Sequence, residues 1–240
     1  MKNVYGSLLF GFFFLVLACD CIFIINDMEE YRFYTKPMLV PILYIIMAMQ
    51  TAETTHKRTK LYISLGMFFC FSGDFLLLNA DNNSYFIWGL SAFLLAQICY
   101  GLFFLRIKKF SLKRVTAIIL IALIIAAYLC LLLSSLWRNI NDQSQAVPVI
   151  IYSVAIGFML LTALHTGTGR RVKKMAWQHF IPGAVLFIVS DSLLAIDKFS
   201  TFSDKEFQSD IHLVLAVAVM VTYGGAQALI VSGATRIIRR

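Results

Sequence analysis

The chain has 240 residues, of which 60% are hydrophobic and 14% charged, with a mean hydropathy of +0.78. A soluble domain is about half apolar and about a quarter charged, so this composition excludes one and describes a membrane protein. The net charge of +8 does not point to nucleic acid, because the basic residues sit in short clusters between apolar runs, as membrane orientation requires.

The first apolar run, 5–25, is too long for a signal-peptide core and lacks a small-residue cleavage site, so it reads as a retained span. Asp27-Met28-Glu29-Glu30 follows it. Pro37 and Pro41 then open a second run over 37–52, which ends before His56-Lys57-Arg58. Further runs cover 61–80, 85–105, 112–136, 147–164, 179–197 and 211–235. They are separated by Asp81-Asn82-Asn83, Arg106 to Arg114, Arg138 to Gln145, Arg170 to Lys174 and Ser203 to Asp210. A spanning helix needs about 20 apolar residues, and no run has the period-two alternation of a membrane barrel. The expected fold is therefore an all-α polytopic bundle of about eight transmembrane helices, forming a single transmembrane domain over residues 1–240.

Charge sets the orientation. Lys2, Lys57, Arg58, Lys60, the basic residues from Arg106 to Arg114 and from Arg170 to Lys174, and Arg236, Arg239 and Arg240 all fall on one side. They are sixteen of the 21 Lys and Arg residues. The positive-inside rule then puts both termini in the cytosol and requires an even number of spans. The Arg-rich tail is compatible with the endoplasmic reticulum or another endomembrane. The sequence leaves oligomeric state open, and a homo-oligomer is compatible with it.

Spans one, three and seven each bury an aspartate: Asp20, Asp74 and Asp191. A carboxylate at the bilayer centre costs roughly 2.5–3.5 kcal/mol even on the mild insertion scale, so such residues face a protein interior or a cavity. Ser72-Gly73-Asp74-Phe75-Leu76-Leu77 and Val189-Ser190-Asp191-Ser192-Leu193-Leu194 share a pattern of small residue, Asp and Leu-Leu. Asp20 precedes Asn26 by six residues, Asp74 precedes Asp81 by seven and Asp191 precedes Asp197 by six. At about 1.5 Å per residue, all three lie about 9–10 Å below the non-cytosolic helix ends. Whether they converge laterally does not follow from spacing.

The cysteines (Cys19, Cys21, Cys70, Cys99 and Cys130) all lie in apolar runs and read as small core residues. The histidines (His56, His165, His179 and His212) show no ligand spacing, and the chain carries no H-E-x-x-H, G-x-S-x-G or P-loop motif. No metal or cofactor is expected. The stretch from His165 to Arg171 lacks the G-x-G-x-x-G spacing of a phosphate loop and fits a positive-inside loop instead.

Several short stretches resemble the lysoplasmalogenase family of YhhN-like integral membrane hydrolases. They are Thr35-Lys36-Pro37 with Pro41, then Gly73-Asp74-Phe75-Leu76-Leu77, and Phe86, Gly89, Phe93 and Tyr100. Tyr152, Met159 and Gly183 to Phe187 follow, leading into Ser190-Asp191-Ser192-Leu193-Leu194-Ala195 and Lys198-Phe199, with Tyr223 and Gln227 last. Gln97 departs from the pattern, which has a histidine there in many relatives. The resemblance implies hydrolysis of the vinyl ether of lysoplasmalogens, giving a fatty aldehyde and a glycerophospho-choline or -ethanolamine. Its substrate is a lysophospholipid drawn from the bilayer.

That chemistry suits the residues. Protonating the β-carbon of a vinyl ether makes an oxocarbenium ion that water attacks, so two carboxyls can divide acid and base roles as they do in glycosidases. Asp74 and Asp191 are the candidates for that pair. Lys36 is a candidate for the substrate phosphate, although it can equally anchor at the interface. Tyr100, Tyr152, Tyr223 and Gln227 are candidate substrate contacts, with helix packing as the plain alternative. Asp20 lies outside the matching stretches and is either a third site residue or a satisfied structural one. The rival function is a proton-coupled carrier using the same aspartates. A non-catalytic lipid-binding or scaffold protein is the other alternative.

Overall fold

A computed structural model describes residues 2–79, 83–109, 115–136, 143–199 and 205–239. All regular structure among the described residues is helical: α1 (Lys2–Ile25), α2 (Glu29–Thr35), α3 (Leu39–Gln50), α4 (Lys57–Leu76), α5 (Asn83–Ile107), α6 (Val115–Leu136), α7 (Gln143–Gly167), α8 (Lys173–Met175), α9 (Ile181–Phe199) and α10 (Lys205–Ile238). A short 3-10 turn, Leu77–Asn79, extends α4, and a π turn, Ala176–Phe180, joins α8 to α9. Seven stretches are long and apolar enough to cross a membrane. Between the fourth and fifth of them lies α6, whose described apolar part is the shorter Ala122–Leu132. The loops expected at 81–83, 106–114, 138–145 and 203–210 fall partly outside the described residues.

The second span differs from the expectation. It runs from Glu29 to Gln50 rather than from residue 37, and Pro37 interrupts it instead of opening it. Proline has no amide hydrogen, so Pro37 and Pro41 remove the i+4 donors of the Phe33 and Pro37 carbonyls. The backbone bridges the gap with tighter bonds, Met38 N to Thr35 O at 3.2 Å and Leu39 N to Lys36 O at 3.4 Å. A tight turn precedes α2, and within it Asp27 adopts φ 54°, a left-handed conformation that Asp tolerates better than most residues. This turn folds α2 back against α1. The seventh span is also longer than expected, running from Lys173 to Phe199 through the π turn.

Lipid offers no hydrophobic drive for helix association, so close packing and polar contacts must supply it. On α4, the buried residues Gly66, Cys70, Gly73 and Asp74 share one face. Gly66 lies under the Tyr100 ring and Gly73 under Phe93, both on α5, where a Cβ would come within 2.4 and 2.6 Å of ring carbons. The rings of Tyr100, Phe187 and Tyr223 continue the core edge to face, with centroids 5.5–6.3 Å apart. Gly183 lets α9 sit directly on α10: a Cβ there would stand 2.7 Å from Ile230 and 3.1 Å from the Ala226 carbonyl. The outward faces of α1 and α7 expose Phe12, Phe14, Ile151 and Val154, as lipid contact requires.

Gly183→Leu should therefore lower the melting temperature in detergent, with overpacking costing about 1–3 kcal/mol. Gly11→Leu, at a position with nothing within 4 Å, should leave it unchanged. Equal melting temperatures for the two variants would refute the close α9–α10 approach.

Candidate active site

Each buried acid is held by donors from other helices. Asp74 is 1% exposed, and Tyr223 of α10 donates to its Oδ2 at 2.7 Å. Tyr152 of α7 donates a short hydrogen bond to Oδ2 of Asp191. Tyr152 in turn accepts from Nε2 of the fully buried Gln97 on α5, at 3.3 Å. Because the phenol accepts from the amide, its single proton is committed to the carboxylate. Asp74 and Asp191 lie within electrostatic reach of each other.

Asp20 is fully buried. Thr35 donates to its Oδ1 at 2.6 Å, and Arg32 Nε lies 3.9 Å from the same oxygen. The break after α2 brings Lys36 within electrostatic reach of both Asp20 and Asp74. Electrostatic coupling thus runs from Asp20 through Lys36 and Asp74 to Asp191.

Asp191 alone of the three faces a cavity. This space lies among α5, α6, α7 and α9, and Leu90, Leu129, Val149, Ile156 and Ile188 give it apolar walls. Its polar lining comes from Tyr152, Ser153, Asp191 and Ser192, and Tyr128 of α6 hydrogen-bonds Ser192 at 2.8 Å. The cavity lining is mostly apolar with a few placed polar groups, as in binding pockets for small ligands.

A second, polar space of about 360 Å³ adjoins it, and Leu77, Phe86 and Leu194 line both. Glu29, Arg32 and Lys36 reach this vestibule from the second span, Asp197 and Lys198 from the end of α9, and His212 from α10. Asp197 pairs with His212, and Lys198 Nζ lies 5.3 Å from the centre of the Phe86 ring. An apolar cavity with one carboxyl on its wall therefore lies next to a charged space.

The sequence candidates divide between these settings. Tyr152 and Asp191 line the apolar cavity and Lys36 lines the vestibule, whereas Tyr223 reaches the site through Asp74. Tyr100 and Gln227 satisfy each other deeper in the bundle: Tyr100 donates to Gln227 Oε1 at 2.8 Å, and Gln227 Nε2 donates to Cys70 Sγ at 3.0 Å. Neither lines the cavity or the vestibule. All five cysteines are free, and no group of three His, Cys, Asp or Glu side chains suited to a metal occurs among the described residues. Sequence reading missed Arg32, whose signal was its place one turn before Lys36. It also singled out Gln97 as a departure from the family pattern, without its contact to Tyr152.

Comparison with known proteins bears on the same residues. A family model described as the YhhN family matches residues 31–234. Proteins named lysoplasmalogenase from Mycobacterium bovis and Mycobacterium tuberculosis are each 27% identical over 201 residues, covering 82% of this chain and 69% of the relative. No solved structure matches the chain. The family match begins inside α2 and ends in α10, so it takes in Lys36, Asp74, Asp191 and Tyr223 but leaves Asp20 outside. The chain belongs to the YhhN family.

Proposed function

We propose that this protein hydrolyses the vinyl ether bond of lysoplasmalogens, releasing a fatty aldehyde and a glycerophospho-alcohol. The relatives named lysoplasmalogenase support the general activity. The observation that carries the mechanism is the placement of Asp191 on the wall of an apolar cavity, with Asp74 in reach behind it.

The alkenyl chain lies in the apolar cavity with its ether oxygen toward the vestibule. Asp191, the carboxyl at the cavity wall, gives its proton to the β-carbon of the alkenyl group. The double-bond electrons form the new C–H bond, and the α-carbon and ether oxygen become an oxocarbenium ion. Asp74, with the Lys36 cation in reach, is the ionised partner whose charge stabilises that ion through space. Water adds to the α-carbon and loses a proton to the Asp191 carboxylate, restoring the acid and leaving a hemiacetal. Proton transfer from the hemiacetal hydroxyl to the ether oxygen then breaks the C–O bond, freeing aldehyde and glycerol hydroxyl. One water is consumed.

The rival reading, a proton-coupled carrier, draws on one feature, the helix break at 36–38 beside the buried acids, since broken helices form ion sites in carriers. Purified protein and synthetic lysoplasmalogen separate the two: aldehyde release supports the hydrolase, whereas flux without aldehyde in proteoliposomes supports the carrier. We also propose that both termini face the cytosol, on the strength of the basic residues gathered there, and that the protein resides in the endoplasmic reticulum or another endomembrane.

Three outcomes test these readings. Asp191→Asn and Asp74→Asn should each lower turnover at least about a hundredfold, the scale of a lost general acid or its partner, with melting temperature retained. Robust activity in either removes that residue from the mechanism. Tyr152→Phe removes a hydrogen bond to a charged group worth about 1.5–3 kcal/mol, so kcat should fall roughly ten- to a hundredfold, and unchanged kcat would detach Tyr152 from Asp191. A tag placed after Arg240 should be cleaved by protease added to the cytosolic side of sealed vesicles and spared from the other side. The reverse pattern would invert the topology, and co-fractionation with marker proteins checks the compartment.

A further inference from the structure

Cleaving a vinyl ether requires nothing of the vestibule, yet the vestibule carries charge of both signs. The second span contributes Arg32 and Lys36, four residues apart, and places Glu29 beside them. The end of α9 contributes Asp197, whose Oδ1 contacts Nδ1 of His212. Arg32 is anchored rather than satisfied: its Nε is buried without a hydrogen-bond partner among the described residues, and the Asp20 oxygen at 3.9 Å is beyond hydrogen-bonding range. A guanidinium held in this way has donors to offer to phosphate oxygens, which it binds in a fork that an ammonium cannot reproduce.

A site built only for an anion would not have Glu29 and Asp197 on its walls, because each carboxylate repels the phosphate that the cations attract. A ligand bearing a phosphate and an ammonium satisfies both sets. Phe86, the aromatic ring at the junction of the two spaces, already lies under Lys198, so the ligand ammonium falls to the carboxylates rather than to a ring face.

We infer that the vestibule is a zwitterion subsite, in which Arg32 and Lys36 take the phosphate of a lysophospholipid headgroup and Asp197, with Glu29, takes its ammonium. This rests on the hydrolase reading for the direction in which substrate enters. It adds a basis for selection: phosphocholine and phosphoethanolamine lysolipids bind well, and lysolipids with an anionic phosphoglycerol headgroup are disfavoured by Asp197. Asp20 is a positioning residue here, holding Arg32 and Thr35 from behind.

The test uses full-length protein in nanodiscs and saturated alkyl-ether lysolipids, which have no vinyl ether to cleave. Their headgroups are phosphocholine, phosphoglycerol or none, the last being an alkylglycerol. Wild-type protein should bind the phosphocholine lipid at least about tenfold tighter than the alkylglycerol and than the phosphoglycerol lipid. Arg32→Gln and Lys36→Met should each weaken phosphocholine binding about tenfold and leave the alkylglycerol unchanged, which also shows that the variants fold. Lys36→Arg should retain affinity. Asp197→Asn should abolish the preference for phosphocholine over phosphoglycerol.

Equal wild-type affinities for the three lipids, or unaltered phosphocholine binding in Arg32→Gln and Lys36→Met, would overturn the inference. The two readings fail separately. Headgroup discrimination without aldehyde from a lysoplasmalogen removes the hydrolase and leaves the subsite, while aldehyde release with no headgroup dependence does the reverse.

Discussion

The structure depends on satisfying carboxylates where water is scarce. A buried acid inside a bilayer costs several kcal/mol unless donors or cations compensate it. Here the donors are tyrosine hydroxyls from distant parts of the chain, Tyr223 for Asp74 and Tyr152 for Asp191. Each bond ties two helices together, α4 to α10 and α7 to α9, so the polar groups of the site also fix the bundle around it. The glycine faces of α4 and α9 serve the same end, since rings and backbones must come close for those hydroxyls to reach.

Satisfaction differs among the three acids. Asp20 belongs to a structural arrangement with Thr35 and Arg32 and lines neither space. Asp74 is sealed, with Lys36 in reach and Tyr223 on one oxygen. Asp191 is the one that meets empty space. Two titratable groups of the same type become useful for acid–base chemistry when their surroundings are unlike, since one can carry a proton while the other carries charge. A matched pair in identical settings would give no such separation.

Much of this arrangement can be read in the sequence, and the unread parts have physical causes. Hydropathy and the basic clusters give the helix order, because solvation in lipid is a property of composition. The expense of intramembrane charge singles out Asp20, Asp74 and Asp191, and a fixed rise per residue gives their common level. Their convergence is not legible, since a helix period says nothing about the rotation of one helix against another. The second span was misjudged because two prolines look like a helix start, and Arg32 was lost with it: a helix beginning at residue 37 leaves Arg32 in a loop, whereas one beginning at Glu29 puts it one turn from Lys36. Gln97 was legible as a buried amide, but its contact with Tyr152 joins residues 55 positions apart.

The same break in the second span places Arg32 and Lys36 at the polar space. An unbroken helix satisfies its own backbone and presents side chains at fixed intervals, whereas Pro37 ends one short helix and starts another within a single crossing. The short segment α2 is therefore positioned by its contacts with α1 as well as by the span it belongs to, and the Asp20–Thr35 bond supplies one of them. This lets Arg32 and Lys36 stand next to an apolar cavity while α3 packs as an ordinary membrane helix. Cavity and vestibule pose opposite demands, one for hydrocarbon and one for charge, and a lysolipid is a molecule divided in the same way. A ligand that fills both spaces must put the atoms between its headgroup and its chain at the junction lined by Leu77, Phe86 and Leu194. Leu194 lies about one helical turn from Asp191 on α9, so that junction is close along the helix to the carboxyl on the cavity wall.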